Sequence, residues 1–328
     1  MIILIYGKQL LIPFVFALLL WFIVRKIKQT QDRIKFVREK VPSWVKSMIA
    51  TIVILFVLGT ISKIISASIT TLAESHSGYD KNFVHMIDEL PDLFGFDLKD
   101  TLKNVFSGLN IGETLGTVFS SLTGVLSSTF MIILYALFIF LEETYFLIKI
   151  RNILNSQGKF VQFVEISERI ESSIEKYLWL KTLMSLLTGA MSYLVLLIIG
   201  IDTPVFWAFL IFLLNYIPTV GSLIATLFPA TYSVIQFGGL HEGIMIIVFI
   251  ASIQVLVGNI LEPRMMGHSM NISPLVTIIS LAFWGAIWGV TGMFLCIPIT
   301  VVFMIILSQF ERTRPIAIML SQKGTIET

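Results

Sequence analysis

The chain has 328 residues, of which 56% are hydrophobic and 13% are charged, and its formal net charge is +2. A soluble domain carries about 25% charged residues, so this composition excludes an ordinary globular protein and argues against a nucleic-acid partner. The single cysteine, Cys296, excludes an intramolecular disulfide. We therefore expect an all-α fold, a polytopic transmembrane helical bundle that forms one membrane domain over residues 1–328.

The N-terminal part alternates apolar runs with a basic segment. An uncharged run at 9–24 predicts a first membrane span, and the apolar residues 47–72 predict a second. Between them, residues 25–46 carry eight Lys or Arg against two acidic residues. The positive-inside rule assigns such a segment to the cytoplasm.

The next segments differ in charge. Residues 73–113 carry eight Asp or Glu against three Lys, which predicts a small extracytoplasmic cap of amphipathic helices. An uncharged run at 114–141 predicts the third span. Residues 142–181 carry six Lys or Arg and predict a cytoplasmic amphipathic helix that leads into a fourth span at 182–200. Its apolar face either lies on the membrane or forms an oligomer contact or gate; that face comprises Phe163, Ile166, Ile170, Ile174 and Tyr177.

Charge nearly disappears after the fourth span. From Thr182 to Phe310 the only Asp, Glu, Lys or Arg residues are Asp202, Glu242, Glu262 and Arg264. Uncharged runs cover 203–240, 243–261 and 269–310. Each is close to or longer than the roughly 20 residues that cross a bilayer.

The segment from Asn215 to Gly221 interrupts one of these runs. Pro218 has no amide hydrogen and disfavours a helical conformation in the residue before it. A helical hairpin broken near Asn215–Pro218 is therefore predicted, and an even number of crossings there keeps the basic C-terminus cytoplasmic. The break is either a plain turn or the lining of a pathway. The pathway candidates here are Asn215, Tyr216, Pro218 and Gly221.

A second polar segment surrounds Glu262. Charges at the end of an apolar run must pair with something or line something. Because Pro263 separates Glu262 from Arg264, we expect no regular helix there. The two charges either form a local ion pair or reach different partners, and Arg264 with the start of the helix that Ser273-Pro274 begins could hold a polar or anionic solute. The pathway candidates are Glu262, Pro263, Arg264 and Gly267, with Gln254 and Asn259, which share one strip only if their helix unwinds.

Small residues in the penultimate apolar run predict close helix packing, namely Gly285, Gly289 and Gly292. The sequence has no phosphate-binding loop, no His-Glu-x-x-His, no Gly-x-Ser-x-Gly and no Cys/His cluster. We therefore predict no enzyme activity, no cofactor and no metal site.

Several motifs between residues 200 and 310 resemble the autoinducer-2 exporter family of bacterial inner-membrane proteins. They are Asn215-Tyr-Ile-Pro-x-x-Gly, Gly258-Asn-Ile-Leu-Glu-Pro-Arg-Met-Met-Gly267, Pro274-Leu, Phe283-Trp-Gly285, Gly289-x-x-Gly-Met293 and Pro298-x-Thr300. The resemblance implies a transporter that exports a small polar organic solute, such as the quorum-sensing signal autoinducer-2, by secondary or passive transport. A Na+(Li+)/H+ antiporter is the alternative, and a non-transporting oligomeric scaffold is a third possibility.

The resemblance also implies partners: membrane lipid, a small polar solute, and further copies of the chain in a cyclic homo-oligomer. It favours more than two subunits, with five as the leading number. One departure concerns Val257. Many relatives carry a carboxylate at this position, just before the Gly-Asn pair, and its absence here weakens the hypothesis of cation coupling. A second departure is that relatives commonly have one more N-terminal helix, which leaves the side of the N-terminus open.

Overall fold

A computed structural model describes residues 2–31, 41, 45, 59–60, 63, 67–68, 129–154, 156–266 and 271–325. Helices dominate this part of the chain, which confirms the predicted all-α fold. The predicted cap at 73–113, nearly all of the second span and the first part of the third span lie outside the described residues.

The described helices alternate between long apolar elements and short connecting ones. They are α1 (Ile2–Tyr6), α2 (Lys8–Gln31), α3 (Thr129–Leu154), α4 (Gln157–Ile199), α5 (Pro204–Leu214), α6 (Val220–Phe237), α7 (Leu240–Gln254), a π-helix (Val255–Leu261), α8 (Glu262–Met266), α9 (Pro274–Ser308) and α10 (Arg314–Leu320). Five helical stretches in the described part of the chain are long and apolar enough to cross a membrane, and the bent α3 could be a sixth. This number fits a polytopic membrane protein.

The chain forms two compact units. Unit 1 comprises Met1–Val57, Ser120–Trp179 and Met266–Thr328, and unit 2 comprises Leu58–Phe119 and Leu180–Met265. Helix α4 is a single element of 43 residues that begins in unit 1 and ends in unit 2. The first part of the segment expected at 142–181 belongs to the end of α3, and from Gln157 onward the segment leads without a break into the fourth span, as predicted.

In unit 1, α2 packs against α3 through small and branched side chains. Ala17, Ile132 and Ala136 are buried at the centre, and larger side chains surround them. Two alanines let the helix backbones approach closely, which is how helices associate in lipid.

Charged side chains of α2, α3 and α4 form a network that we call the unit 1 charge cluster, which comprises Arg25, Lys26, Glu143, Glu171 and Glu175. Arg25 Nη1 lies 2.9 Å from Glu171 Oε2, and Arg25 Nε lies 3.8 Å from Glu143 Oε1. Lys26 pairs with Glu175. The five side chains are 20–43% exposed, so water reaches all of them.

Glu171 lies ten residues before Lys181, about 15 Å along the helix, and therefore outside the span predicted at 182–200. Burial raises the pKa of its carboxyl group, and the Arg25 guanidinium opposes that shift. The carboxylates of Glu175, Glu143 and Glu168 raise the pKa further.

Helix α9 is folded back on itself at Gly289, whose φ is 63° and ψ is −144°. Thr300 Oγ1 consequently donates to Ser280 Oγ at 3.0 Å, although twenty residues separate them in sequence. The uncharged run at 269–310 therefore contains the two arms of this hairpin.

The other two glycines of this run lie where the arms meet. A Cβ on Gly292 would lie 1.9 Å from the carbonyl oxygen of Trp284, and a Cβ on Gly285 would lie 2.9 Å from Met293 Cε. Gly289 itself forms the turn, so its left-handed φ and not close packing accounts for a glycine there.

The C-terminal segment returns to the start of α9. The Ser273 amide donates to the Leu320 carbonyl at 3.0 Å, and an isolated antiparallel bridge joins Ile272 to Ser321. Pro274 occupies the first turn of α9 as predicted, but the Ser273 side chain makes no capping bond.

Candidate functional site: a buried polar cluster in unit 2

The hairpin predicted near Asn215–Pro218 is present: α5 and α6 are joined by residues 215–219. Its open end is held by Gln236, which accepts a hydrogen bond from the Asp202 amide at 2.8 Å and donates to the Gly200 carbonyl at 3.1 Å. Pro204 begins α5 as predicted, whereas the side chain of the N-cap residue makes no capping bond.

Gly221 is where the hairpin backbone approaches itself most closely. A Cβ at this position would lie 1.9 Å from the Leu214 carbonyl oxygen and 2.8 Å from Ile217 Cβ. Any other residue would force the first turn of α6 away from the end of α5. Since α5 has 11 residues, it is about 16 Å long, which is roughly half of a bilayer's hydrocarbon thickness.

The turn of the hairpin is bonded to α4. Tyr216 is buried, and its hydroxyl lies 2.6 Å from Thr182 Oγ1. Asn215 Nδ2 donates to Ser185 Oγ at 3.0 Å. Two of the predicted pathway residues therefore make side-chain contacts with the same helix, within one turn of each other.

The same turn of α4 also carries Lys181, which forms a buried ion pair with Glu262 of α8. Lys181 Nζ lies 2.7 Å from Glu262 Oε1 and donates a second bond to Oε2 at 3.0 Å. The lysine side chain is 8% exposed and the glutamate side chain 16%. Together with Thr182, Ser185, Asn215 and Tyr216, these two residues form what we call the inner polar cluster.

An apolar group lies beside the ion pair. Met184, Ile253 and Val257 are buried together, and Leu261 packs against them. Since these neighbours offer no hydrogen bonds, each charge depends on the other. Removing one member of a buried pair leaves the other uncompensated, which is strongly destabilising.

The segment that brings Glu262 to Lys181 is a π-helix, Val255–Leu261, in which the backbone turn is widened. The Glu262 amide completes it by donating to the Val257 carbonyl. Pro263 has no amide hydrogen to continue this ladder, and it is the second residue of the short helix α8.

One prediction about this segment is wrong, and one of the two alternatives for its charges is excluded. Glu262, Pro263 and Arg264 do lie on a helix, because a proline is tolerated in the first helical turn. The carboxylate of Glu262 binds Lys181, so it is not held by the arginine two residues away. Arg264 is exposed, and no ion pair within the described part of the chain includes it.

The remaining predicted pathway residues lie around the inner polar cluster without a bond to it. Gln254 is half-buried at the end of α7, Asn259 is exposed on the π-helix, and Pro263 is exposed on α8. No hydrogen bond between described residues joins these three to the cluster. The π-helix begins directly after Gln254 and contains Asn259, so the helix is unwound where these two residues would need it to be if they were to lie on one strip of its surface. Gly267 lies outside the described residues.

The sequence analysis missed Lys181, Thr182 and Ser185. Lys181 ends a segment rich in charge, so it resembled an ordinary cytoplasmic lysine. The signal that identifies it is periodicity, because Lys181, Ser185 and Thr188 recur at helical spacing on the buried face of α4.

The donor set of this cluster does not resemble a metal site. Within the described ranges, no group of three or more His, Cys, Asp or Glu side chains could hold a metal ion. Its amine, hydroxyl, phenol and amide groups are hydrogen-bonded to one another and to a single carboxylate.

Comparison with known proteins places this architecture in a family. A model of the AI-2E family transporter matches residues 1–312. The chain belongs to the AI-2E transporter family. It is 28% identical over 320 residues to the AI-2 transport protein TqsA of Escherichia coli K12, covering 96% of this chain and 90% of TqsA.

Other relatives of this AI-2E family protein carry less specific names. The putative transport protein YhhT of Escherichia coli K12 is 28% identical over 289 residues, which covers 87% of this chain and 82% of YhhT. A putative transport protein of Borreliella burgdorferi is 30% identical over 254 residues, covering 77% of this chain and 70% of its own length. The membership and the apolar helices together make this chain a multi-pass membrane protein of a transporter family.

Proposed function

We propose that this protein exports a small polar organic solute across the bacterial inner membrane, by secondary or passive transport. The observation that carries the proposal is the inner polar cluster, which gathers one ion pair and two side-chain hydrogen bonds within otherwise apolar helices. Polar groups within membrane helices are costly and commonly mark a pathway.

The position of the cluster suggests an inner gate. Lys181 lies 18 residues before the end of α4 at Ile199, about 27 Å along the helix axis. That length reaches the inner edge of a hydrocarbon core of about 30 Å. A closed ion pair there joins α4 to the start of α8. A solute enters when its hydroxyl or carbonyl groups replace the bonds of the pair.

The name of TqsA supports autoinducer-2 as the substrate class, since TqsA is an AI-2 transport protein that aligns with nearly the whole chain. We propose that this chain moves the same signal or another neutral hydroxylated solute of similar size. A link to quorum sensing is part of this proposal.

The Na+(Li+)/H+ antiporter is weaker as a candidate, because Glu262 is already neutralised by Lys181. A coupling carboxylate must release its counter-charge to bind sodium or a proton. The scaffold hypothesis predicts no solute flux at all, so transport measurements separate all three functions.

Purified protein in proteoliposomes preloaded with autoinducer-2, ribose or glycerol tests the proposal. We expect efflux of at least one solute without added sodium, and its loss in Glu262→Gln and in Lys181→Met. Lys176→Met is the matched control for Lys181→Met, because Lys176 is an exposed lysine on the same helix. Sodium-dependent proton flux with no solute efflux would establish the antiporter, and neither flux would favour the scaffold.

A cytoplasmic C-terminus is a separate part of the proposal. In a Cys296→Ala background, Lys323→Cys should react with a membrane-impermeant thiol reagent only from the cytoplasm. His241→Cys, at the exposed start of α7, should react only from outside. Reaction of both from one side would contradict the proposed topology.

We also propose a cyclic homo-oligomer with more than two subunits, and five as the expected number. The many exposed apolar side chains of the described helices offer surfaces for lipid or for a neighbouring copy. Mass measurement in nanodiscs determines the number. A monomer with full transport activity would overturn the ring.

A further inference from the structure

The contacts between α4 and α5 define how these two helices of unit 2 run past each other. Thr182 contacts Tyr216, and Ser185 contacts Asn215. Further along, a Cβ on Gly189 would lie 3.1 Å from both the Ala208 carbonyl oxygen and Phe212 Cβ. From one contact to the next, residue numbers rise on α4 and fall along α5 and the turn that follows it, so the two helices are antiparallel.

This register extends one turn towards the far end of α4. Ser192 lies three residues after Gly189 on α4. Because the helices are antiparallel, the residues of α5 at that level lie about three positions before the pair Ala208 and Phe212, in the turn that contains Trp207. Ser192 and Trp207 therefore lie at the same level along the axes of the two helices.

Both residues carry a buried polar atom that has no hydrogen-bond partner within the described part of the chain, namely Ser192 Oγ and Trp207 Nε1. Each side chain is 0% exposed. Leaving a buried donor or acceptor unpaired is unfavourable, and such groups call for an explanation.

Two other buried hydroxyls of unit 2 avoid this penalty by bonding to their own helix. Thr188 donates to the Met184 carbonyl at 2.9 Å, and Ser233 donates to the Ala230 carbonyl at 2.7 Å. Ser192 makes no such bond, although helix α4 offers it the same kind of carbonyl. Its hydroxyl is therefore free to serve a molecule outside the helix.

The chemistry at this level favours a neutral molecule. An indole N–H only donates, whereas a serine hydroxyl both donates and accepts. The Trp207 ring also packs against Tyr232, with centroids 5.1 Å apart, which supplies an aromatic wall. The Lys181–Glu262 pair begins eleven residues earlier on α4, about 16 Å away along the axis.

We propose that Ser192 and Trp207 form a binding position for a neutral hydroxylated or carbonyl-bearing solute, midway along the α4–α5 seam. This inference rests on the transport function proposed above and deepens it. A solute that passes the inner polar cluster would next accept a hydrogen bond from the Trp207 indole N–H and form a second one between its own hydroxyl and that of Ser192.

Transport kinetics test this position directly. Ser192→Ala and Trp207→Phe should each raise the KM for efflux of the transported solute about fivefold, the effect expected for one lost neutral hydrogen bond, with little change in maximal rate. Ser233→Ala is the matched control, because it removes an equally buried hydroxyl that is already bonded within its helix. Unchanged KM in both variants overturns the proposal.

A labelling experiment separates this inference from the transport function. Ser192→Cys in a Cys296→Ala background should react with the small neutral reagent methyl methanethiosulfonate, and autoinducer-2, ribose or glycerol should slow the reaction. Protection supports the binding position even if no efflux is measured. Reaction at the same rate with all three solutes indicates water alone at the seam and overturns the solute site.

Discussion

The two charge clusters of this protein satisfy their charges in different ways. In the unit 1 charge cluster, two cations face three carboxylates, and the side chains are 20–43% exposed. In unit 2, Lys181 and Glu262 have only each other among the charges of the described part of that unit, and they are 8% and 16% exposed. In the unit 1 charge cluster, water reaches every charge and Arg25 has two carboxylate partners, whereas in unit 2 each charge depends on the other.

The largest expected effect comes from removing one member of the buried pair. Glu262→Gln or Lys181→Met should destabilise the protein by about 3–5 kcal/mol, because the remaining charge is left unpaired in an apolar setting. The loss of stability is measured by heating the protein in detergent and monitoring the fraction that stays soluble. The control Lys176→Met should unfold like the wild type, and an equal loss in both lysine variants would refute the difference between the clusters.

Replacing both members separates stability from function. Lys181→Met combined with Glu262→Leu should restore most of the lost stability, because apolar residues of similar size often substitute for a buried pair without penalty. Solute efflux should stay absent if the pair is a gate that a solute opens. Efflux at the wild-type rate in this variant would show that the pair is structural only.

A much smaller effect is expected in unit 1. Lys26→Met should change stability by at most about 1 kcal/mol, as is usual for exposed ion pairs. Arg25 remains to compensate Glu171, and water solvates the released Glu175. The same unfolding assay measures the change, and a loss as large as that of Lys181→Met would break the comparison.

The smallest effect is a pH dependence. The raised pKa of Glu171 means that the folded protein binds more protons than the unfolded chain. Its contribution to stability therefore falls as the pH rises above the ordinary carboxyl value of 4.5. Glu171→Gln should flatten the wild-type melting profile between that value and neutrality, and parallel profiles would contradict the assignment.

Sequence reasoning predicted the helical hairpin because Pro218 and Gly221 have local consequences. A missing amide hydrogen and a close backbone approach act within a few residues of themselves. The same reasoning could not find the partner of Glu262, because Lys181 lies 81 positions away and only the packing of α4 against the end of α7 brings them together. Arg264 was one of two alternatives for the partner of Glu262, since proximity in sequence was the only available guide.

The π-helix illustrates a further limit. Nothing in the letters from Val255 to Leu261 departs from an ordinary apolar helix, apart from Gly258 and Asn259. The widened turn becomes visible only with the backbone hydrogen bonds, in which the Glu262 amide reaches the Val257 carbonyl.

The fold of α9 at Gly289 has a consequence for biogenesis. The turn region from Gly285 to Met293 carries no charged residue, so the tip of the hairpin gives the insertion machinery no topological signal of its own. Orientation must be set by the basic flanks, Arg264 on one side and Arg312 and Arg314 on the other. The two arms would therefore enter the bilayer together as one inserted unit, with their paired hydroxyls already facing each other.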